Sequence, residues 1–486
     1  MILLTYPPFK EGGRSFRWSG TSETKGSNFF YPPWYLAYSA AILEKDNIPV
    51  DLIDAVATGM DNNSFVKYVD KKNPELLIAE VSTLTINKDL QLMRRIKKDI
   101  GCKIALTGSH VTTLCKEILS KNPFIDFILF GEYELTVKDL ANKLQTKNYN
   151  NILGLAFRQN DKIKINKRRP LIENLDELPL PARHFLPMDK YNEAFAEVPN
   201  QQMLSSRGCP YQCVFCVLPQ IYYNRRVRYR SPKNVINEMQ LVVEEYKPKE
   251  IYFDDDSFTL NSQHVLGICK EIKNCNLDVQ WSCMGHAKIN EKILREMVDS
   301  GCVGVKFGVE TASPVIQDKI KKRLNLDEIK NFVKLAKKFK LRTHATYTIG
   351  LPGDTKETIK QTLKFAANLN TDSMQISIAT PYPGTEFYNW CESNGYLITK
   401  DFSRYDGNKE AVVSYPDLSK KDIDEMFKKS LDLVSRFNSG MIKCFLLDAF
   451  KNGGFKGLIT FTLKEGTFYT ARLLRKHLFI LKSKFS

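Results

Sequence analysis

Hydrophobic and polar residues along this chain fall into two series of short apolar blocks separated by stretches with one apolar face. In the first series the blocks Ile2–Thr5, Val50–Ile53, Leu76–Val81, Lys103–Thr107 and Phe127–Phe130 are too short for helices and end in turn residues, which predicts buried strands. Between them, Trp34–Lys45 and Lys88–Ile100 repeat apolar residues at helical spacing. This alternation predicts a doubly wound α/β domain over residues 1–145. Ligands of such sheets bind where the strands end. Here those ends carry Tyr6-Pro7-Pro8, Ser82-Thr83, Gly108-Ser109-His110 and Gly131-Glu132. Small residues at these turns let the backbone approach a large flat ligand closely. Ser82, Thr83, Gly108, Gly131 and Glu132 are therefore the candidate binding residues of this domain.

Residues 146–195 read as a linker, with strand-like patches at Leu153–Arg158 and Lys162–Asn166 and the Pro-rich run Leu178-Pro179-Leu180-Pro181. A second series covers residues 196–400. Its predicted strands are Met203–Ser206, Glu250–Phe253, Asp278–Cys283, Gly304–Val309, Thr343–Ile349 and Met374–Ala379. Helical patterns separate them at Pro232–Tyr246, Ser262–Cys275, Glu291–Ser300, Asp327–Phe339 and Lys356–Leu369. Six such units predict a partial (β/α)6 barrel with one open side. Residues 401–486 read as a basic, mostly helical region.

Composition refines this picture in two places. A chain of 486 residues that is 43% hydrophobic and 26% charged is folded, and its length divides it into about two or three domains. The formal net charge of +16 comes in part from Lys-rich composition throughout, but it is sharpest near the end. There Lys451, Lys456, Lys464, Arg472, Arg475, Lys476, Lys482 and Lys484 interleave with Phe455, Leu458, Phe461, Leu473, Leu478 and Phe479. Such a segment either packs on the protein's own body or lies peripherally on an anionic membrane surface. No apolar run reaches the ~20 residues of a spanning helix. The opening run Met1–Tyr6 reads as a strand rather than a leader, and most cysteines are irregularly spaced. Together these features predict a reducing, cytoplasmic setting.

The exception among the cysteines is Ser206-Arg207-Gly208-Cys209-Pro210-Tyr211-Gln212-Cys213-Val214-Phe215-Cys216, a C-x3-C-x2-C run that directly follows the first strand of the second series. Three thiolates on one tight loop can hold three corners of an iron–sulfur cube and leave its fourth iron open. A structural zinc site needs a fourth ligand, and no nearby Cys or His offers one at regular spacing. The remaining cysteines are scattered singly, as small apolar core residues are.

This motif, with Phe215 just before its last cysteine, resembles the signature of the radical S-adenosylmethionine (SAM) superfamily. The following strands carry matching features in order. Asp254-Asp255-Asp256 resembles the acidic end of the second barrel strand, and the resemblance implies that Asp255 and Asp256 receive the SAM amino group. Glu310, after Gly304–Val309, resembles the fourth-strand carboxylate that contacts SAM, and Gly350 of Gly350-Leu351-Pro352-Gly353 the fifth-strand glycine near the adenine. A Rossmann-like domain ahead of such a barrel resembles the cobalamin-binding subclass, through Tyr31-Pro32-Pro33-Trp34-Tyr35-Leu36-Ala37, Gly108-Ser109-His110 and Gly131-Glu132-Tyr133-Glu134. The D-x-H-x-x-G pattern of histidine-ligated cobalamin proteins is absent, because Gly108 stands where its Asp would be. Bound cobalamin would then take no histidine ligand from this domain.

The resemblance implies reductive cleavage of SAM at a [4Fe–4S] cluster to a 5′-deoxyadenosyl radical, fed by a reduced ferredoxin or flavodoxin. With cobalamin the outcome is C-methylation, or oxidative ring formation as in the anaerobic porphyrin-ring cyclase, on a tetrapyrrole or lipid-like small molecule. Some relatives keep the first domain without binding cobalamin, and a chain of that kind would be expected to oxidise rather than methylate. A transfer-RNA methylthiotransferase needs three further cluster cysteines in its first domain, where this chain has Cys102 and Cys115, so no nucleic-acid partner is expected. A non-catalytic cobalamin or redox sensor has no use for Asp255 or Glu310, and a membrane-bound scaffold needs only the tail.

Overall fold

The computed structural model describes residues 1–9, 31–159, 162–435 and 437. Its first sheet runs β1 (Ile2–Tyr6), β2 (Val50–Asp54), β3 (Leu76–Glu80), β4 (Lys103–Thr107), β5 (Phe127–Leu129), β6 (Leu155–Gln159) and β7 (Lys162–Ile165). Their spatial order is β2-β1-β3-β4-β5-β6-β7. β1 to β5 are parallel and β6–β7 is an antiparallel hairpin added at the edge. The parallel strands are apolar blocks because helices cover both faces of the sheet. β3 is buried along its whole length. The hairpin corrects one expectation. Leu153–Arg158 and Lys162–Asn166 extend the first sheet, with buried Phe157 packed edge-on to Tyr149, and only the Pro-rich part that follows serves as a connector.

The helix Trp34–Lys45 buries Trp34 through Leu43. It is covered on both sides because it lies on the seam between domains. It touches β2 on one side, while Arg183 stacks over Trp34 and Arg207 over Tyr35 and Tyr38 from the other.

The second sheet contains β8 (Asn200–Met203), β11 (Glu250–Phe253), β12 (Gln280–Gly285), β13 (Cys302–Glu310), β14 (Arg342–Ile349) and β15 (Ser373–Ile378). All six are parallel, in the order β15-β14-β13-β12-β11-β8, and the two end strands do not pair. This is a six-stranded barrel open on one side. Val305, Phe307, Val309 and Tyr347 pack into its helix-facing core. A separate two-stranded ribbon, β9 (Ser206–Arg207) with β10 (Arg228–Tyr229), stands at the barrel mouth. The first barrel strand lies three residues earlier than Met203–Ser206. Asn200, Gln201 and Gln202 are buried polar residues, the first two held by side-chain bonds to Glu193, Ala196 and Met188, so apolar patterning passes over them.

Helix starts follow ordinary capping chemistry: Ser231 caps Pro232–Tyr246, and Thr355 with Thr358 forms a capping box for Lys356–Leu369. After residue 400 the chain is irregular, with bridges Leu397↔Val413 and Tyr415↔Leu418, before a helix at 420–435. The basic stretch after residue 450 lies outside the described residues. Among those described, no helix is long and apolar enough to cross a membrane.

Candidate functional site

The cysteine loop springs from the β9–β10 ribbon. Gly208 has φ +102°, and a Cβ there would lie 1.9 Å from the Arg226 carbonyl oxygen, so the ribbon closes only with glycine at its root. Gln220 ties the loop together by donating to the carbonyls of Cys213 (3.2 Å), Val214 (3.1 Å) and Cys216 (2.6 Å). Val214 N donates to Ile320 O at 3.1 Å, which brings the turn carrying Lys322 against the loop. Phe215 is half-buried against the barrel core. Cys209, Cys213 and Cys216 are free thiols. Burial pushes Cys209 up to about 12, and raises Cys213 and Cys216 as well. They are thus held as thiols until a metal displaces the protons. Among the described residues no three Cys, His, Asp or Glu side chains converge on one ion. Three soft thiols on one loop are a donor set suited to three irons of an iron–sulfur cube, whereas a structural zinc takes four ligands.

The three aspartates after β11 divide their work. Asp255 is fully buried and accepts from Ser205 N (2.7 Å), Ser205 Oγ (2.5 Å) and Ser206 Oγ (2.6 Å), bracing the passage from β8 to β9. Asp256 receives Gly208 N at 2.8 Å. Asp254 and Asp256, but not Asp255, line a pocket on the seam between the domains. Tyr31, Trp34 and Tyr35 face them there from the first domain, and Ser206 and Tyr223 from the second.

Glu310 sits at an irregularity of β13 with φ +68°, a strained position for a non-glycine residue. Its carboxylate accepts from Thr348 Oγ1 at 2.9 Å and pairs with Lys322 Nζ at 3.2 Å. Gly308 makes room for this fold-back, since a Cβ there would be 2.2 Å from Glu310 Oε1. Burial alone would lower the Lys322 ammonium, but Glu310 more than offsets it and keeps the group charged. Gly350 (φ +76°) packs under Ile423 of the 420–435 helix and accepts from Tyr415 Oη at 2.9 Å.

At the ends of the first sheet, Thr83 Oγ1 lies 3.3 Å from His110 Nδ1, and Ser82 Oγ 3.0 Å from Thr85 Oγ1. Gly108 (φ +118°) answers a backbone need, because a Cβ would be 2.1 Å from the Val81 carbonyl oxygen. Gly131 N donates to Thr112 Oγ1 at 3.3 Å. His110 packs edge-on to Phe402 at 4.7 Å. Glu132 is turned into the seam, where Arg228 grips both its oxygens at 2.7 Å. Burial would raise this carboxyl, but Arg228 and Arg207 hold it below the usual range. Gln220, Lys322, Arg207 and Arg228 are site residues that no local sequence pattern marks, because each braces partners in other elements.

Burial holds His110, His264 and His286 down to about 4. The unfolded chain binds these protons near pH 6.5, so stability present above that value is lost as pH falls toward 4. Each histidine costs about 2 kcal/mol between pH 7 and 5. Asp354, raised to about 6 by burial, opposes this by about 1 kcal/mol. The urea midpoint of the metal-free protein is therefore expected to drop clearly from pH 7 to pH 5, and an unchanged midpoint would contradict the buried neutral imidazoles.

Two family descriptions match the chain, the radical SAM superfamily over residues 203–366 and the B12 binding domain over residues 27–141. The chain is 34% identical over 433 residues to an uncharacterized methyltransferase of Pyrococcus horikoshii, covering 88% of this chain and 91% of the relative. It is 26% identical over 462 residues to the anaerobic magnesium-protoporphyrin IX monomethyl ester cyclase of Rubrivivax gelatinosus, covering 92% of this chain and 78% of that one. In fold it is similar to the radical SAM methyltransferase TsrM of Kitasatospora setae, solved with cobalamin and a [4Fe–4S] cluster. The TM-score is 0.64 at 16% identity, over 82% of this chain and 76% of the other.

Proposed function

Because this chain belongs to the radical SAM superfamily and carries the B12-binding domain ahead of its barrel, we propose that it is a cobalamin-dependent methyltransferase acting on an unactivated carbon of a small molecule. The observation that carries this reading is the seam pocket, where Tyr31, Trp34 and Tyr35 of the first domain face Asp254 and Asp256 beside the cysteine loop. A reacting carbon held there lies between the strand-end crevice and the loop. When bound, the cluster supplies reductive cleavage of SAM and hydrogen abstraction by the resulting radical, and cobalamin supplies a transferable methyl group.

The residues divide as follows in this reading. Cys209, Cys213 and Cys216 hold three irons of a [4Fe–4S] cluster, with Phe215 packed beside them. Asp256, with Asp254 at its side, receives the SAM ammonium, and Asp255 braces the loop. Glu310 accepts a ribose hydroxyl, and Gly350 allows the adenine close to the backbone. Ser82, Thr83, Gly108 and Gly131 border the cobalamin crevice, with no histidine ligand, since the D-x-H-x-x-G pattern is absent and His110 is buried with Nδ1 against Thr83 and its ring against Phe402. The aromatic wall of the pocket excludes water from the reacting groups.

Methylation is favoured over oxidation by the name of the 34% identical relative. Of the tetrapyrrole and lipid-like substrates that the motifs suggest, the cyclase relative supports a tetrapyrrole. A reduced ferredoxin or flavodoxin as donor, a cytoplasmic location and peripheral membrane contact through the basic stretch after residue 450 complete the reading. The last of these is supported by charge pattern alone.

Anaerobic reconstitution with iron, sulfide and hydroxocobalamin, followed by dithionite and SAM, tests it. Cluster absorbance, bound corrinoid, 5′-deoxyadenosine and S-adenosylhomocysteine are all expected. Nucleoside without corrinoid or S-adenosylhomocysteine would replace methylation by oxidation.

A further inference from the structure

The motif Gly131-Glu132-Tyr133-Glu134 stands at the edge of the strand-end crevice, yet both its carboxylates are bound to the other domain. Arg228 grips Glu132 through two 2.7 Å bonds, and its Nη1 also reaches the Ile172 carbonyl at 2.7 Å. Arg207 Nη1 reaches Glu134 at 2.6 Å and Glu132 at 3.4 Å. All four side chains are at most 4% exposed. The two arginines are direct partners across the β9–β10 ribbon. Everything between them, residues 208–227, is the loop that carries the three cysteines. The guanidinium of Arg207 also lies over Tyr35 and Tyr38, at 4.6 and 4.9 Å from their ring centres.

Two cations and two anions that balance inside a dry seam behave as a unit, since removing any one strands a buried charge. The bidentate Arg228–Glu132 fork fixes direction as well as distance. Gly131 N, next in the chain, donates to Thr112 Oγ1 at 3.3 Å, which carries the connection to the crevice wall. A continuous path of short polar contacts thus runs from the roots of the cysteine loop to the border of the cobalamin crevice.

We propose that Arg207, Arg228, Glu132 and Glu134 are positioning residues that couple the two cofactor sites, so that an iron-loaded loop tightens corrinoid binding in the first domain. The proposal rests on the functional reading above. With the cluster in place the loop keeps its shape, the ribbon seats both arginines, and the Gly131–Glu134 turn is held at the crevice edge. Without it the loop rests on its protein braces, Gln220, Asp256 and Ile320, and the ribbon and the turn are held less rigidly. By linkage, corrinoid also favours retention of the cluster.

The test measures hydroxocobalamin affinity by spectrophotometric titration, with the cluster loaded and after anaerobic chelation, for the wild-type protein, Arg228→Met and Glu132→Gln. Loaded wild-type protein is expected to bind at least about fivefold tighter than stripped protein. In both variants the ratio is expected to fall to near one. Glu132→Gln keeps the shape of the side chain and guards against a folding defect in Arg228→Met. Equal affinities in the two wild-type states, or variants that keep the wild-type ratio, would overturn the coupling and leave the functional reading standing. No corrinoid bound by the wild-type protein in either state would overturn that reading, and the coupling with it.

Discussion

Alanine at Cys209, Cys213 and Cys216 together is expected to strip the protein of iron and of SAM cleavage while hydroxocobalamin still binds, with the affinity of chelated wild-type protein. The three thiols are the whole donor set of the loop, and among the described residues Cys269, Cys283, Cys302 and Cys391 are buried in the barrel core instead. Gln220 and Asp256 hold the loop through main-chain groups of the cysteines and Gly208, which alanine leaves intact. The fold therefore survives, at a cost of about 1 kcal/mol for each small buried side chain removed. Iron assay, nucleoside chromatography and corrinoid absorbance on one preparation check all three statements. Full nucleoside formation by the variant would place the cluster elsewhere.

Why this loop was legible from sequence alone, and its surroundings were not, follows from how far each interaction reaches along the chain. The C-x3-C-x2-C spacing is local, and so are the apolar blocks that became the parallel strands, because a strand buried on both faces writes itself as an unbroken run. β8 is not legible because its first three residues, Asn200, Gln201 and Gln202, are polar yet buried, the first two bonded to the preceding connector. The β6–β7 hairpin was recognised as strand-like, but its attachment to β5 is a tertiary fact. The roles of the acidic residues were the least legible. Glu132 looks like a crevice residue by position along its strand end. Its orientation is decided by Arg228, 96 residues away. Glu310 shows no local sign that its backbone turns to φ +68° or that Gly308 must stay small for it.

The three consecutive aspartates give the sharpest case, because sequence alone makes Asp255 and Asp256 equivalent and the structure does not. Asp255→Ala is expected to destabilise the protein by about 3 kcal/mol, since it leaves the Ser205 N–H and the Ser206 hydroxyl without their acceptor in a buried site and the Ser205 hydroxyl with His264 alone. Loss of iron uptake should follow, as Ser205 and Ser206 lead directly into the cysteine loop. Asp256→Asn behaves differently. Its amide oxygen can still accept from Gly208 N, so stability should stay within about 0.5 kcal/mol of wild type. Removing its charge takes one charge-assisted contact from the SAM ammonium, which weakens SAM binding roughly 10- to 100-fold. Thermal melts and equilibrium dialysis with labelled SAM separate the two. An Asp255→Ala protein as stable as wild type would remove the brace. Unchanged SAM affinity in Asp256→Asn would move the ammonium site to Asp254, the other carboxylate of the seam pocket.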